Sequence, residues 1–190
     1  MPRYHGVGPF TLRRHIVPAK EFVERWEPLY DYPLENLYAD HVGRPLTPES
    51  VRLLFEWKNG GKLSRLKQAS VEVNYVGRLD ELWALPHDTP AAEFLNRFDH
   101  GGAIWRIYFL HIWAPCRYPI YDQHVHRAME LIETGRSAEI PRGDGAKIAT
   151  YLDRFVPFYS TFDGLEPRRV DKALWACGKY MKGLATAPVD

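Results

Sequence analysis

Apolar residues recur along this chain at three- and four-residue intervals, and strict alternation is scarce, so the pattern predicts helices almost throughout. Lys20 to Tyr30 is a short amphipathic stretch, and Leu34 to Val42 is another. Thr47-Pro48 sets an N-cap residue before a proline at the first helical position. It opens a helix through Trp57 that Gly60-Gly61 ends. From Ser64 to Leu85, Leu66, Val73, Val76, Leu79 and Leu82 keep mixed helical spacing, which predicts one helix interrupted near Gly77, or two. Thr89-Pro90 repeats the cap-plus-proline signature and starts a helix to Phe98. The next runs from Ala103 to Trp113, with Pro115 just beyond. Asp122 to Thr134 forms a helix ended by Gly135. Another opens at Asp144 or Gly145 and reaches Tyr159, kinked or shortened by Val156-Pro157. The last, Pro167 to Leu184, carries Val170, Leu174, Cys177, Tyr180 and Met181 along one stripe. The β-like runs are short: Val7 to Ile16, and Val71 to Tyr75, which its helical context overrides. The expected fold class is all-α.

The 190 residues, 45% of them hydrophobic, suit one compact domain or two small lobes sharing a cleft. No apolar run is long enough to cross a membrane. The first residues, Met1-Pro2-Arg3-Tyr4-His5-Gly6, lack the apolar stretch of a signal peptide, so a cytoplasmic monomer is expected. Cys116 and Cys177 make neither a disulfide framework nor a metal-binding CxxC, and both are expected as reduced thiols. The net charge of +1 does not announce a nucleic-acid binder, but its distribution is uneven. Residues 21–40 hold one Arg against six acids, whereas 52–78 hold six Lys or Arg against two. A neutral total can therefore hide a basic face. Aromatic residues reach 14%, supplying core and also flat surfaces for stacking planar ligands.

The candidate chemistry centres on Tyr118-Pro119-Ile120-Tyr121-Asp122-Gln123-His124-Val125-His126-Arg127. A proline-containing turn delivers Asp122 to a helix entrance, where the macrodipole favours an ionised carboxylate. Asp122 can be a plain N-cap there, or a carboxylate aimed into a cleft. Upstream, Asp99-His100-Gly101-Gly102 precedes an apolar helix. Glycines permit close backbone approach, and helix N-terminal amides favour an anion such as phosphate.

This arrangement resembles the helix-hairpin-helix DNA glycosylase superfamily, in which a Gly-rich hairpin leads into an apolar helix and a turn then delivers a catalytic Asp. The run Asp122-Gln123-His124-Val125-His126-Arg127 matches the family's motif at Asp, His, Val and Arg, and Gly102 stands where the last hairpin glycine does. The resemblance covers residues 98–130, and Pro119-Ile120-Tyr121-Asp122 is similar to the 8-oxoguanine glycosylase branch. It implies a two-lobed helical fold with a central cleft, one lobe being residues 1–98 with the C-terminal helix and the other 99–165. Two departures stand out. The hairpin is reduced to Asp99-His100-Gly101-Gly102, and the lysine nucleophile of bifunctional members is missing, Ala103 and Ile104 standing at its positions. No cysteine-rich C-terminus provides for an iron–sulfur cluster, and no cofactor or metal is expected.

By this resemblance Asp122 stabilises an oxocarbenium-like sugar as the base departs and orients the attacking water. Without the hairpin lysine, the expected product is an abasic site; a lysine from elsewhere, Lys58 or Lys62, is the alternative route to a Schiff base. Trp57, Tyr121, His124 and Trp175 are candidate walls of a base pocket, with Tyr121 the first stacking candidate. Glu56-Trp57-Lys58-Asn59-Gly60-Gly61 suits either a glycine C-cap or a loop that grips distorted DNA. In the second case Asn59 meets the orphaned base, and Lys58 and Lys62 meet phosphates. His100, Gly101, Gly102, Arg127, Arg168 and Arg169 complete the expected DNA-binding set. The expected partner is double-stranded DNA carrying a modified base, either 8-oxoguanine or a hypermodified cytosine of viral DNA. The last fits the further resemblance to compact bacterial antiphage proteins of this fold. A non-catalytic DNA-binding module and an unrelated acid-base or metal hydrolase remain as alternatives.

Overall fold

The computed structural model describes residues 18–185, with side chains to residue 183, and over that range the chain is all-helical without a strand. The helices are α1 (Ala19–Trp26), α2 (Glu35–His41), α3 (Pro48–Asn59), α4 (Arg65–Asn74), α5 (Leu79–Trp83), α6 (Ala91–Arg97), α7 (Ala103–Trp113), α8 (Gln123–Thr134), α9 (Asp144–Thr150), α10 (Val156–Ser160) and α11 (Pro167–Ala185). Val7 to Ile16 lies outside the described residues. Val71 to Tyr75 is the end of α4 and the residue after it.

Local chemistry explains where the helices begin and stop. At the start of α3, the Ser50 amide donates to Thr47 Oγ1 at 3.1 Å and the Thr47 amide donates to Ser50 Oγ at 2.9 Å. These reciprocal bonds satisfy donors that a helix N-terminus leaves open. Gly60 ends α3 at φ 73°, a left-handed conformation that a side chain would strain. The Ser64–Leu85 stretch divides into α4, a 3₁₀ turn over Val76–Arg78, and α5. After α9 the chain widens into a π-helix over Tyr151–Phe155 and then resumes as α10. Pro157 has no N–H to give Asp153 and its ring crowds that carbonyl, so the expected kink takes the form of a widened turn.

α11 is the spine of the molecule. It packs along α8 and α1, while α2 packs on α3 and α7 on α6 and α9. The core gathers on α7, whose Ile107, Tyr108, Phe109 and Leu110 are fully buried. Its one imidazole is satisfied: His111 Nδ1 donates to the Tyr118 carbonyl at 2.7 Å, leaving Nε2 to accept from the Tyr38 hydroxyl at 2.8 Å. Burial pulls the His111 pKa down to about 3, so the ring is neutral, as one donor and one acceptor require. On α11, Val170, Leu174 and Cys177 are buried as their spacing predicts. The stripe stops there: Tyr180 is exposed, its ring tilted against that of Trp26 at 5.5 Å.

At Gly178, α11 meets the entrance of α8. A Cβ placed there would lie 1.8 Å from the His124 carbonyl oxygen and 2.5 Å from its carbon. Only glycine allows that approach. Gly178→Ala is therefore expected to cost about 3 kcal/mol or more in urea unfolding, the upper end for overpacking, since backbone must move. Gly145→Ala in α9, where a Cβ meets open space, should instead gain up to about 1 kcal/mol. An unchanged midpoint for Gly178→Ala would contradict the contact.

Candidate functional site

Asp122 has extended backbone (φ −158°, ψ −175°) and caps α8 with one oxygen: Oδ1 accepts from the His124 amide at 2.8 Å and the Val125 amide at 3.2 Å. The other oxygen, Oδ2, accepts from Lys58 Nζ at 3.2 Å. Lys58 comes from the last turn of α3, sixty-four residues away in sequence, and its side chain is 7% exposed. Burial alone would raise the Asp122 pKa. The Lys58 ammonium, His124 and the two amides outweigh it, and the carboxyl sits below its ordinary range. His124 is itself shifted down, by burial first, so at neutral pH Lys58 is the main countercharge. The helix cap is thus also a pocket-lining carboxylate.

The pocket around this pair is lined by Tyr30, Tyr32, Trp57, Ile120, Val125, Arg168, Asp171 and Trp175. Its volume is about 20 Å³, room for one or two waters. Aromatic edges close it: Trp175 meets Tyr30 and Tyr32, each at 5.2 Å, and Tyr32 meets Trp57 at 5.2 Å. Arg168 braces the wall. Its guanidinium lies 4.2 Å from the centre of the Tyr38 ring and 5.3 Å from that of Trp57, and it forks onto Glu35, Nε donating to Oε1 at 3.1 Å and Nη2 to Oε2 at 2.8 Å. Glu35 also accepts from the Tyr30 hydroxyl at 2.9 Å and the Trp57 indole at 3.2 Å.

A second carboxyl shares the pocket. Asp171 is 4% exposed, and its Oδ1 has no hydrogen-bond partner among the described residues. Burial is the largest influence and pushes its pKa up to about 7, against the pull of Arg168, the nearby Tyr159 hydroxyl and Lys58. Two acids on one wall are therefore driven in opposite directions by their surroundings.

Of the residues singled out from sequence, Asp122, Lys58, Trp57, Arg168 and Trp175 meet in this pocket. Lys58 and Arg168, expected against DNA phosphates, are instead engaged with Asp122 and Glu35. Tyr121 does not reach the pocket. On extended backbone neighbouring side chains point opposite ways, so Ile120 and Asp122 line the cavity while Tyr121 turns into the core. There it is fully buried against Tyr151 and Phe155, with its hydroxyl 2.9 Å from His126 Nδ1. His124 stands behind the wall, edge-on to Trp175 at 5.1 Å and bonded to the Gly178 backbone. Arg127, expected near phosphate, is 3% exposed and forks onto Glu139 at 3.0 and 2.7 Å. Arg169 is exposed and paired with Glu27.

Asn59 is committed to its own turn: its amide donates to the Gly61 and Lys62 carbonyls, and Lys67 donates to its oxygen at 2.6 Å. Lys62 is exposed beside it. His100, Gly101 and Gly102 lie exposed between α6 and α7, His100 paired with Asp99. Gly101 has φ 85°, and a Cβ there would meet the Tyr75 hydroxyl at 2.5 Å. The Ala103 amide that opens α7, expected to attract phosphate, bonds the Asp144 carboxylate instead.

Sequence reading missed Glu35, Tyr30, Tyr32 and Asp171. Asp171 follows Val170 and precedes Leu174 by three residues, so it sits on the apolar stripe, and an acid on a buried face was the available signal. Among the described residues no group of three or more His, Cys, Asp or Glu is placed to hold a metal ion. No family model, curated protein or solved structure matches this chain.

Two stability predictions follow from the charges. Lys58→Met leaves Asp122 without its countercharge and should cost about 3 kcal/mol at neutral pH; adding Asp122→Asn should restore most of that in the same urea titration. An additive double mutant would count against the pair. Asp171 has a folded pKa above its unfolded value of about 3.9, so once pH exceeds that value folding must return a proton to it or bury it charged, which opposes stability, fully so above about 7. Asp171→Asn should therefore raise the melting midpoint at alkaline pH, with the gain shrinking as pH falls toward the unfolded pKa. A gain that grows on acidification would refute the assignment.

Proposed function

We propose that this chain is a DNA glycosylase that flips out a modified base and hydrolyses its N-glycosidic bond, with Asp122 as the carboxylate that stabilises the sugar. The observation that carries this reading is Asp122 itself: a carboxylate held ionised at a helix N-terminus on the wall of an aromatic pocket. As the base departs with the bond electrons, positive charge develops on the sugar, and a fixed carboxylate beside it lowers the barrier. Further support comes from the segment after α3, where Lys62 in the turn and Arg65 at the start of α4 are exposed and suited to phosphates. The pocket draws its lining from residues 30–58, 120–125 and 168–175, segments of both lobes that the resemblance implies.

A nucleobase exceeds the volume of the pocket, so its entry requires rings to part. Tyr30 and Tyr32 are the candidates, because they follow a 3₁₀ turn and precede α2, outside regular helix. The cost includes the hydrogen bond from the Tyr32 hydroxyl to the Trp57 carbonyl, at 2.8 Å. The substrate is then a base modified as in viral DNA, glucosylated hydroxymethylcytosine, or 8-oxoguanine as in repair.

The placement of Lys58 favours a second reading. A cation 3.2 Å from Asp122 offsets the field that stabilises the sugar, unless the lysine moves away or attacks C1′ itself. In the hydrolytic reading, released bases appear in mass spectra after incubation with glucosylated phage DNA or 8-oxoguanine duplexes, strands break only after alkali, and borohydride traps nothing. In the lysine reading, borohydride traps a covalent complex that Lys58→Gln abolishes. Asp122→Asn should stop release in either case while DNA binding persists and weakens steeply with salt. Undiminished release by that variant would sink the assignment, and binding without release by the wild type would leave a DNA-binding module.

A further inference from the structure

We propose that Asp171 is the general acid of this site, the group that hands a proton to the departing base. The proposal rests on the glycosylase reading and assigns the half of the reaction that Asp122 does not serve. Asp122 is matched to the sugar side, being ionised, capped and paired. Base departure makes the opposite demand, since a nitrogen leaving with an electron pair leaves faster if a proton meets it.

Asp171 has the placement for that task. It lines the same cavity as Asp122 and Lys58, is more than nine-tenths buried, and keeps an oxygen that no described group satisfies. That oxygen is left for a pocket water or a ligand atom to meet. The groups facing it come from every neighbouring element. Arg168 and Glu166 belong to its own helix or its start, Lys58 to α3, Tyr159 to α10, Tyr38 to α2 and Tyr151 to the π segment. Burial outweighs the two cations and leaves the acid protonated up to about neutral pH. Paired carboxyls pushed apart in this way are the usual mark of separate acid and anion roles.

The step balances. The bond from the base nitrogen to C1′ breaks with its electrons on the base, and the Asp171 proton goes to the base. The oxygen of a water adds to C1′, and the surplus proton of that water passes by way of Asp122 to solvent. Solvent then returns a proton to Asp171, so the sum is base–sugar plus water giving free base plus sugar hydroxyl.

The test is single-turnover base release against pH, on phage DNA bearing glucosylated hydroxymethylcytosine and on duplexes bearing 8-oxoguanine or 5-hydroxymethylcytosine. For the wild type, release should fall about tenfold per pH unit above about 7. Asp171→Asn should release base about 100-fold more slowly below that point and lose the alkaline limb, with DNA affinity unchanged. Should the variant fail to fold, the wild-type profile still decides. Release that is flat or rising through this range overturns the assignment of Asp171 alone. No release of any base by the wild type overturns the glycosylase reading and this assignment with it.

Discussion

The contact on which the site depends is the bare backbone crossing of α8 and α11 at Gly178. A Cβ there would overlap the His124 carbonyl, so the two helices touch main chain to main chain with no side chain as spacer. Asp122 stands two residues before that carbonyl, and Trp175 and Asp171 stand three and seven residues before the glycine. The crossing therefore sets the separation of the two acids more firmly than side-chain packing could, because backbone geometry does not relax by changing rotamer. Core substitutions elsewhere alter stability first and this geometry last.

Around that fixed crossing, environment differentiates two chemically identical groups. Asp122 receives amide hydrogens and a cation; Asp171 receives burial and an open oxygen. The energetic cost of the second is borne by the fold, which would be more stable above neutral pH without it. Under the proposed function, this is stability given up at one position in exchange for a reactive group.

Much of the fold was legible in sequence because its helix ends are local events. The capping box at Thr47, the left-handed glycines at positions 60 and 135, the cap at Asp122 and the break near Gly77 each depend on neighbouring residues alone. Departures arose where tertiary contact decides. Tyr121 adjoins Asp122 in sequence, but extended backbone sends the two side chains to opposite sides. Lys58 and Asp122, or Arg168 and Glu35, meet only because α3, α8, α11 and α2 pack together, and nothing local announces their pairing. Arg127 and Asn59 carry groups suited to DNA, yet each is engaged within the protein. Asp171 left one trace in the sequence, its place on the buried stripe of the last helix.

The indole of Trp175 lies between two groups that modulate its light. The His124 ring is edge-on at 5.1 Å and the Lys179 ammonium lies 4.7 Å from the ring centre, while Tyr30 and Tyr32 close over the pocket side. Indole emission shifts with local polarity and is quenched by a nearby protonated imidazole. Parting of the tyrosines would admit water to one face of Trp175, and protonation of His124 at acid pH would dim it from another. With the other five tryptophans replaced, the wall of the pocket would carry its own optical gauge, readable without a label and before any substrate is known.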